Sequence, residues 1–116
     1  MGRRAGLADM IRRGEVRWYR FARPDKRRPI VVLTRDAAIG FLDELTVAPV
    51  TTTIREIPSE VHLGGEDGMP RSCAVNLDHV QTVPKAKVEG RITALTGDKM
   101  EELCRAMMFA LGFDET

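Results

Sequence analysis

Residues 27–34, Arg27-Arg28-Pro29-Ile30-Val31-Val32-Leu33-Thr34, set two guanidinium groups and a proline against four consecutive branched apolar side chains. A run that is apolar at every position, rather than at every second one, predicts a strand buried on both faces. Proline has no N–H to give to a ladder and belongs at a strand's first residue. The expected strand is therefore Pro29–Thr34. Arg28 then falls at its rim, just outside the core, where its charge stays solvated.

Working outward, residues 15–21, EVRWYRF, have the aromatic and β-branched content of a second strand. Alternation puts Val16, Trp18 and Arg20 on one face and Arg17, Tyr19 and Phe21 on the other. Trp18 is expected in the core, while Tyr19 and Phe41 are expected to reach solvent. The intervening ARPDKR (22–27) is a basic turn. Residues 36–43 form a helical turn or loop. LTVAPVT (45–51) is a strand interrupted by Pro49 and ending in the hydroxyl cluster Thr51, Thr52 and Thr53. Short strands are expected at SEVHL (59–63), SCAVNL (72–77), VQTVP (80–84) and GRITAL (90–95), with GGEDGMP (64–70) as an exposed turn. So many short strands with frequent turn signals predict a small, strongly bent sheet or barrel.

The last segment changes period. In TGDKMEELCRAMMFALG (96–112), Met100, Leu103, Cys104, Met107, Met108 and Leu111 recur at helical spacing, with Thr96 or Asp98 as the N-cap and Gly112 beyond the end. That is an amphipathic helix lying on the sheet. At the other end Leu7, Met10 and Ile11 suggest a short helix stopped by Gly14. Residues 1–13 are read as an extension and 14–116 as one domain.

A chain of 116 residues, 43% hydrophobic and 30% charged, has the balance of an ordinary globular domain. No apolar run approaches the roughly 20 residues that span a bilayer, and the basic N-terminus lacks a signal peptide's apolar core. A cytoplasmic protein without membrane contact is expected. Cys73 and Cys104 are too few and too far apart for a zinc motif or disulfide framework, and are expected to be buried reduced thiols. The net charge of +1 is uneven: residues 1–35 carry eleven Lys and Arg against three Asp and Glu, a balance of +8, leaving −7 for the rest. A basic first third fits a polyanionic partner such as nucleic acid.

The segments RRPIVVLTRD (27–36), VAPVTTTIREIPSEV (47–61), VQTVPKAKV (80–88) and the terminal helix, in this order, resemble the MazF/PemK family of bacterial toxin endoribonucleases. The resemblance runs from about Gly14 to Gly112. It implies a mostly β, α+β fold, an SH3-like small barrel with a long C-terminal amphipathic helix. It also implies a homodimer that cuts single-stranded RNA, commonly messenger RNA, at short sequences without a metal or other cofactor, and a MazE-like antitoxin that neutralises it. The family's catalytic arginine falls on Arg28 and its catalytic threonine on Thr51. A base-reading position, usually glutamine, falls on His79. The acidic residue that many members keep in the loop before the arginine has no counterpart here, and Asp25 is the substitute at hand.

Metal-free cleavage uses the substrate's 2′-hydroxyl as nucleophile and leaves a 2′,3′-cyclic phosphate and a 5′-hydroxyl. It needs a proton acceptor, positive charge for the phosphorane and a donor for the leaving oxygen. Arg28 suits the charge, because its planar guanidinium grips two phosphate oxygens and stays protonated. Thr51 offers a hydroxyl to orient the phosphate. The acceptor is left open among Asp25, His79 and a water. Arg17, Arg20, Arg23, Lys26, Arg27, Thr52, Thr53 and Gln81 are expected to join His79 in holding RNA, whereas His62 is structural. Two rivals stand beside this reading: a CcdB-type gyrase poison on the same fold, and a catalytically inactive RNA- or antitoxin-binding homologue.

Overall fold

In a computed structural model of the chain, residues 10–22 and 26–115 are described, and the account that follows is of these. The apolar run forms β2, Arg27–Val32, lying between β1 (Glu15–Arg20) and β3 (Glu44–Thr51). Its two faces feed two separate cores. Val31 joins Val16, Ala48, Val50, Leu63, Val75 and Leu77 on one side. Ile30 and Val32 join Tyr19, Ile39, Leu45, Val47 and Val83 on the other. Full burial of each such side chain stabilises the fold by roughly 1.5–3 kcal/mol, so both faces of β2 hold the domain together.

Beyond β3 come β4 (Glu60–Leu63), β5 (Cys73–Asn76), β6 (Gln81–Pro84) and β7 (Arg91–Ala94), all of them expected from the sequence pattern. Among the described residues the seven strands run in the order β4, β5, β3, β2, β1, β7, with β6 also pairing β3. Strand β3 is the hinge of this bent sheet. Its first half, Glu44–Val47, pairs with β6, and its end, Val50 and Thr51, pairs with β5. Helix α1 (Asp36–Ile39) is the short turn foreseen after β2, and Lys85 Nζ donates to Ile39 O at 2.8 Å to close its end.

Helix α2 (Gly97–Ala110) packs on β4 and on the 3-10 turn Leu77–His79. Thr96, not Asp98, is the N-cap: its Oγ1 accepts from Lys99 N at 3.4 Å. Gly112, at a φ of 77°, lets Phe113 N reach back to Met108 O at 2.8 Å, the left-handed stop that glycine permits. The covered stripe is narrower than the apolar one. Leu103 and Ala106 are buried with Met100, Met107 and Ala110 beside them, while Cys104, Met108, Phe109 and Leu111 are exposed.

Four expectations need correction. Pro29 is the third residue of β2, tolerated because the ladder to β3 begins only at Ile30. Tyr19, 7% exposed, belongs to the second core, its ring edge-on to Phe21 at 4.9 Å, whereas Trp18 is only half-buried. Cys104 is exposed; only Cys73 is buried. Arg17, expected at the RNA surface, is 5% exposed because it shares a face with Tyr19. Its guanidinium is satisfied inside by Glu15 Oε1 at 2.8 Å, Glu89 O at 3.0 Å and Met10 O at 3.2 Å, as a buried charge must be. The helix expected around Leu7 lies outside the described residues; Met10–Arg12 are not helical.

Candidate active site

The site forms where β2 and β3 stop pairing. Their ladder joins Val32 to Val47, Val31 to Ala48 and Ile30 to Pro49, and ends there. Two prolines at that point, Pro29 and Pro49, remove two ladder donors. From there β2 continues with β1 as far as the Arg20–Arg27 pair, and β3 turns to β5, pairing Thr51 with Ala74. Carrying the β2–β3 register two residues further sets Arg28 opposite Thr51. Both line a cleft of about 320 Å³ together with Phe21, Pro49, Val50, Arg55, Asn76, His79 and Gln81. Both also line a second cleft, of about 620 Å³, on their other side, walled by Trp18, Lys26, Arg27, Thr52, Thr53, Pro70 and Arg71. Arg28 and Thr51 thus stand on the wall between two basic clefts.

Thr51 is placed with its hydroxyl already oriented. Its Oγ1 accepts from Thr53 N at 3.0 Å, which leaves its own proton to be donated to an incoming oxygen. Arg27 is stacked over the Trp18 ring, 4.5 Å from its centroid, and its Nε donates to Glu89 Oε1 at 2.8 Å. The cation is thereby held flat at the cleft mouth.

The far wall of the smaller cleft hangs on Asn76, the N-cap of the turn Leu77–His79. Asn76 Oδ1 accepts from Asp78 N at 2.9 Å, and its Nδ2 lies 3.3 Å from His79 Nδ1. Asp78 is held in turn by Ser59 Oγ at 2.6 Å. Gln81 Nε2 donates to His79 O at 3.2 Å. Opposite them, the loop after Thr51 is fixed by Glu60, whose Oε1 accepts from Arg55 N at 2.9 Å and Glu56 N at 3.2 Å. Glu56 carries a left-handed φ of 56°, a conformation unusual for a non-glycine residue.

Of the residues named from the sequence, Arg28, Thr51, His79 and Gln81 meet in one cleft, and Lys26, Arg27, Thr52 and Thr53 in the other. Arg20 is exposed at the end of β1 and lines neither. Arg23 and Asp25 lie outside the described residues. Phe21, Asn76, Arg55 and Arg71 escaped the sequence reading. Nothing local marks them: Phe21 follows β1, Arg55 lies in the loop after Thr51, and Arg71 and Asn76 come in with β5. Asn76 alone left a trace, as an Asx residue before a short turn.

Known proteins share this fold and much of this sequence. A family model described as PemK-like, MazF-like toxin of type II toxin-antitoxin system matches residues 12–111. The chain is 48% identical over 100 residues to the protein named Probable endoribonuclease MazF5 of Mycobacterium tuberculosis, covering 85% of this chain and 91% of that one. It is 33% identical over 93 residues to Endoribonuclease MazF3 of the same species, covering 80% and 90%. Among solved structures, the Mycobacterium tuberculosis toxin MazF-mt6 superposes with a TM-score of 0.78 at 30% identity, over 84% of this chain and 96% of the other. A MazE-MazF crystal structure from Deinococcus radiodurans gives a TM-score of 0.73 at 26% identity, over 88% and 95%. The chain belongs to the PemK/MazF family, as a MazF-like toxin endoribonuclease of a type II toxin-antitoxin system. No described helix is long and apolar enough to cross a membrane.

Proposed function

We propose that this endoribonuclease cuts single-stranded RNA by transesterification, with Arg28 and Thr51 as the residues that handle the scissile phosphate. The observation that carries the reading is their convergence, from two strands, on the lining shared by two clefts, one walled by Lys26, Arg27 and Arg71 and the other by Arg55, Asn76, His79 and Gln81. The 2′-oxygen attacks the adjacent phosphorus, the P–O5′ bond breaks, and a 2′,3′-cyclic phosphate and a 5′-hydroxyl result. Arg28 stabilises the equatorial oxygens of the phosphorane and gives a proton to the leaving 5′-oxygen. Thr51 donates its hydroxyl proton in a hydrogen bond that fixes the phosphate. Asp25 is assigned the proton of the 2′-hydroxyl, as the only acidic residue between Phe21 and Thr34. No step calls on a metal.

Lys26, Arg27, Thr52 and Thr53 would carry the RNA on one side of the phosphate, with Arg20 and Arg23 flanking. His79 and Gln81 would contact bases on the other. The unit that does this is residues 14–116, acting in the cytoplasm on messenger RNA and thereby arresting translation and growth. The endoribonuclease names of the relatives favour this reading over a gyrase poison. Exposed Met108, Phe109, Leu111 and Phe113 on and after α2 support self-association as a homodimer. The MazE-MazF neighbour supports a MazE-like antitoxin.

The test is incubation of a mixed RNA with the protein in EDTA and mapping of the cut ends. The proposal expects cyclic phosphates at recurrent short sequences. RNA bound but left intact would support the inactive-homologue reading instead.

A further inference from the structure

The hydrogen bonds around Asn76 decide which nitrogen of the His79 imidazole carries the proton. Asp78 N can only donate, so the Asn76 atom 2.9 Å from it is the carbonyl oxygen. The other amide atom is then the NH₂ group, which can only donate, and it lies 3.3 Å from His79 Nδ1. Nδ1 must therefore be the acceptor, and in the neutral ring the proton resides on Nε2. Asn76 is 8% exposed and capped into the turn Leu77–His79, so the arrangement is anchored in the fold rather than in solvent.

We infer that Asn76 is a positioning residue that makes His79 a donor-only reader of the RNA base in the smaller cleft. Resting on the RNA-cleaving reading above, this has two consequences. His79 cannot take the 2′-hydroxyl proton, since Nδ1 is occupied and Nε2 is already protonated; it leaves the list of proton acceptors. At the 4/6 position of the base edge its Nε2–H can be satisfied by O4 of uracil or O6 of guanine, whereas the N4 amino group of cytosine or the N6 amino group of adenine would face it donor to donor. A glutamine at this position could offer either a donor or an acceptor; His79 held by Asn76 offers one donor.

Two measurements test this. Two-bond proton–nitrogen spectra of the labelled protein at pH about 8.5, above the ordinary imidazole range near 6.5, report the protonated nitrogen of each ring, with His62→Gln used for assignment. The expected result is Nε2–H for His79; an Nδ1–H ring or an imidazolium at that pH overturns the inference. Cut-site mapping then expects one position that prefers uracil or guanine by about tenfold, the worth of one buried hydrogen bond made or missed. In Asn76→Asp the carboxylate accepts from both Asp78 N–H and Nδ1–H, which turns Nε2 into an acceptor and moves the preference to cytosine or adenine. A switched spectrum with an unmoved preference overturns the reader role. His79→Ala gives an independent reading, in which the preference must vanish; its survival has the same adverse meaning. Absence of all cleavage with Nε2–H intact would count against the RNA-cleaving reading and leave the tautomer standing.

Discussion

Arg28 and Thr51 line the same two clefts where the β2–β3 ladder has run out, two residues past the last paired residues, Ile30 and Pro49. Beyond that point the sheet no longer fills the gap between the two strands. Each strand is still anchored on its outer side, β2 to β1 and β3 to β5. Both backbones are thus anchored while the space between the two strands stays open.

Arg28→Ala is expected to lower the rate of RNA cleavage by about 10²- to 10³-fold, the usual cost of removing one transition-state donor. Stability should change by no more than about 1 kcal/mol, the most that an exposed side chain's surface interactions are usually worth. Arg28→Lys should recover part of the rate, keeping the charge and losing the planar fork. Single-turnover cleavage and urea unfolding measure the two effects separately.

Thr51→Ser and Thr51→Val separate hydroxyl from shape. Serine keeps both the acceptor for Thr53 N and the proton for the phosphate, and should stay within about tenfold of wild type. Valine loses both and leaves the Thr53 N–H without its partner, so a further fall of about tenfold is expected. Equal activity of the two variants would exclude a hydroxyl role.

Salt dependence distinguishes the surface cations from the buried one. Lys26→Ala and Arg71→Ala should each reduce the slope of log affinity against log salt by about 0.7, the value for one phosphate contact on a single strand. Arg17→Ala should leave that slope alone. It should instead destabilise the fold by about 3–5 kcal/mol, because Glu15 loses its ion-pair partner inside the protein. Salt titrations of RNA binding beside thermal unfolding decide between the roles.

The two thiols should react unequally. Burial, and secondarily the Asp67 carboxylate, push the Cys73 thiol above its ordinary value of 9.0. Cys104 is exposed. A thiol reagent at pH 8 should therefore label one cysteine in the native protein and two in urea. The sign for stability follows: folding favours the neutral Cys73 thiol, so this contribution is complete below pH 9.0 and is lost as pH climbs through the raised folded value. Mass spectrometry of the labelled protein and an unfolding series across alkaline pH check both halves.

The strands, the terminal helix and the rim position of Arg28 were all legible in the chain itself. They depend on side-chain period, on proline's missing N–H and on helix capping, which are properties of neighbours in sequence. The same local reading failed at Arg17, Trp18 and Tyr19. A strand's alternation says that two faces exist but not which is covered, and here the face carrying Arg17 and Tyr19 was closed by Glu15, Glu89 and Met10.

By itself the sequence determined which segments are strands and where the apolar run begins. Only the tertiary structure decided that Asn76 and His79 stand beside Thr51 in one cleft, with Asn76 Nδ2 3.3 Å from His79 Nδ1. The physical reason is the bend of β3. It exchanges β6 for β5 along a single strand, so residues dozens of positions apart become neighbours through a change of pairing partner that no local pattern encodes.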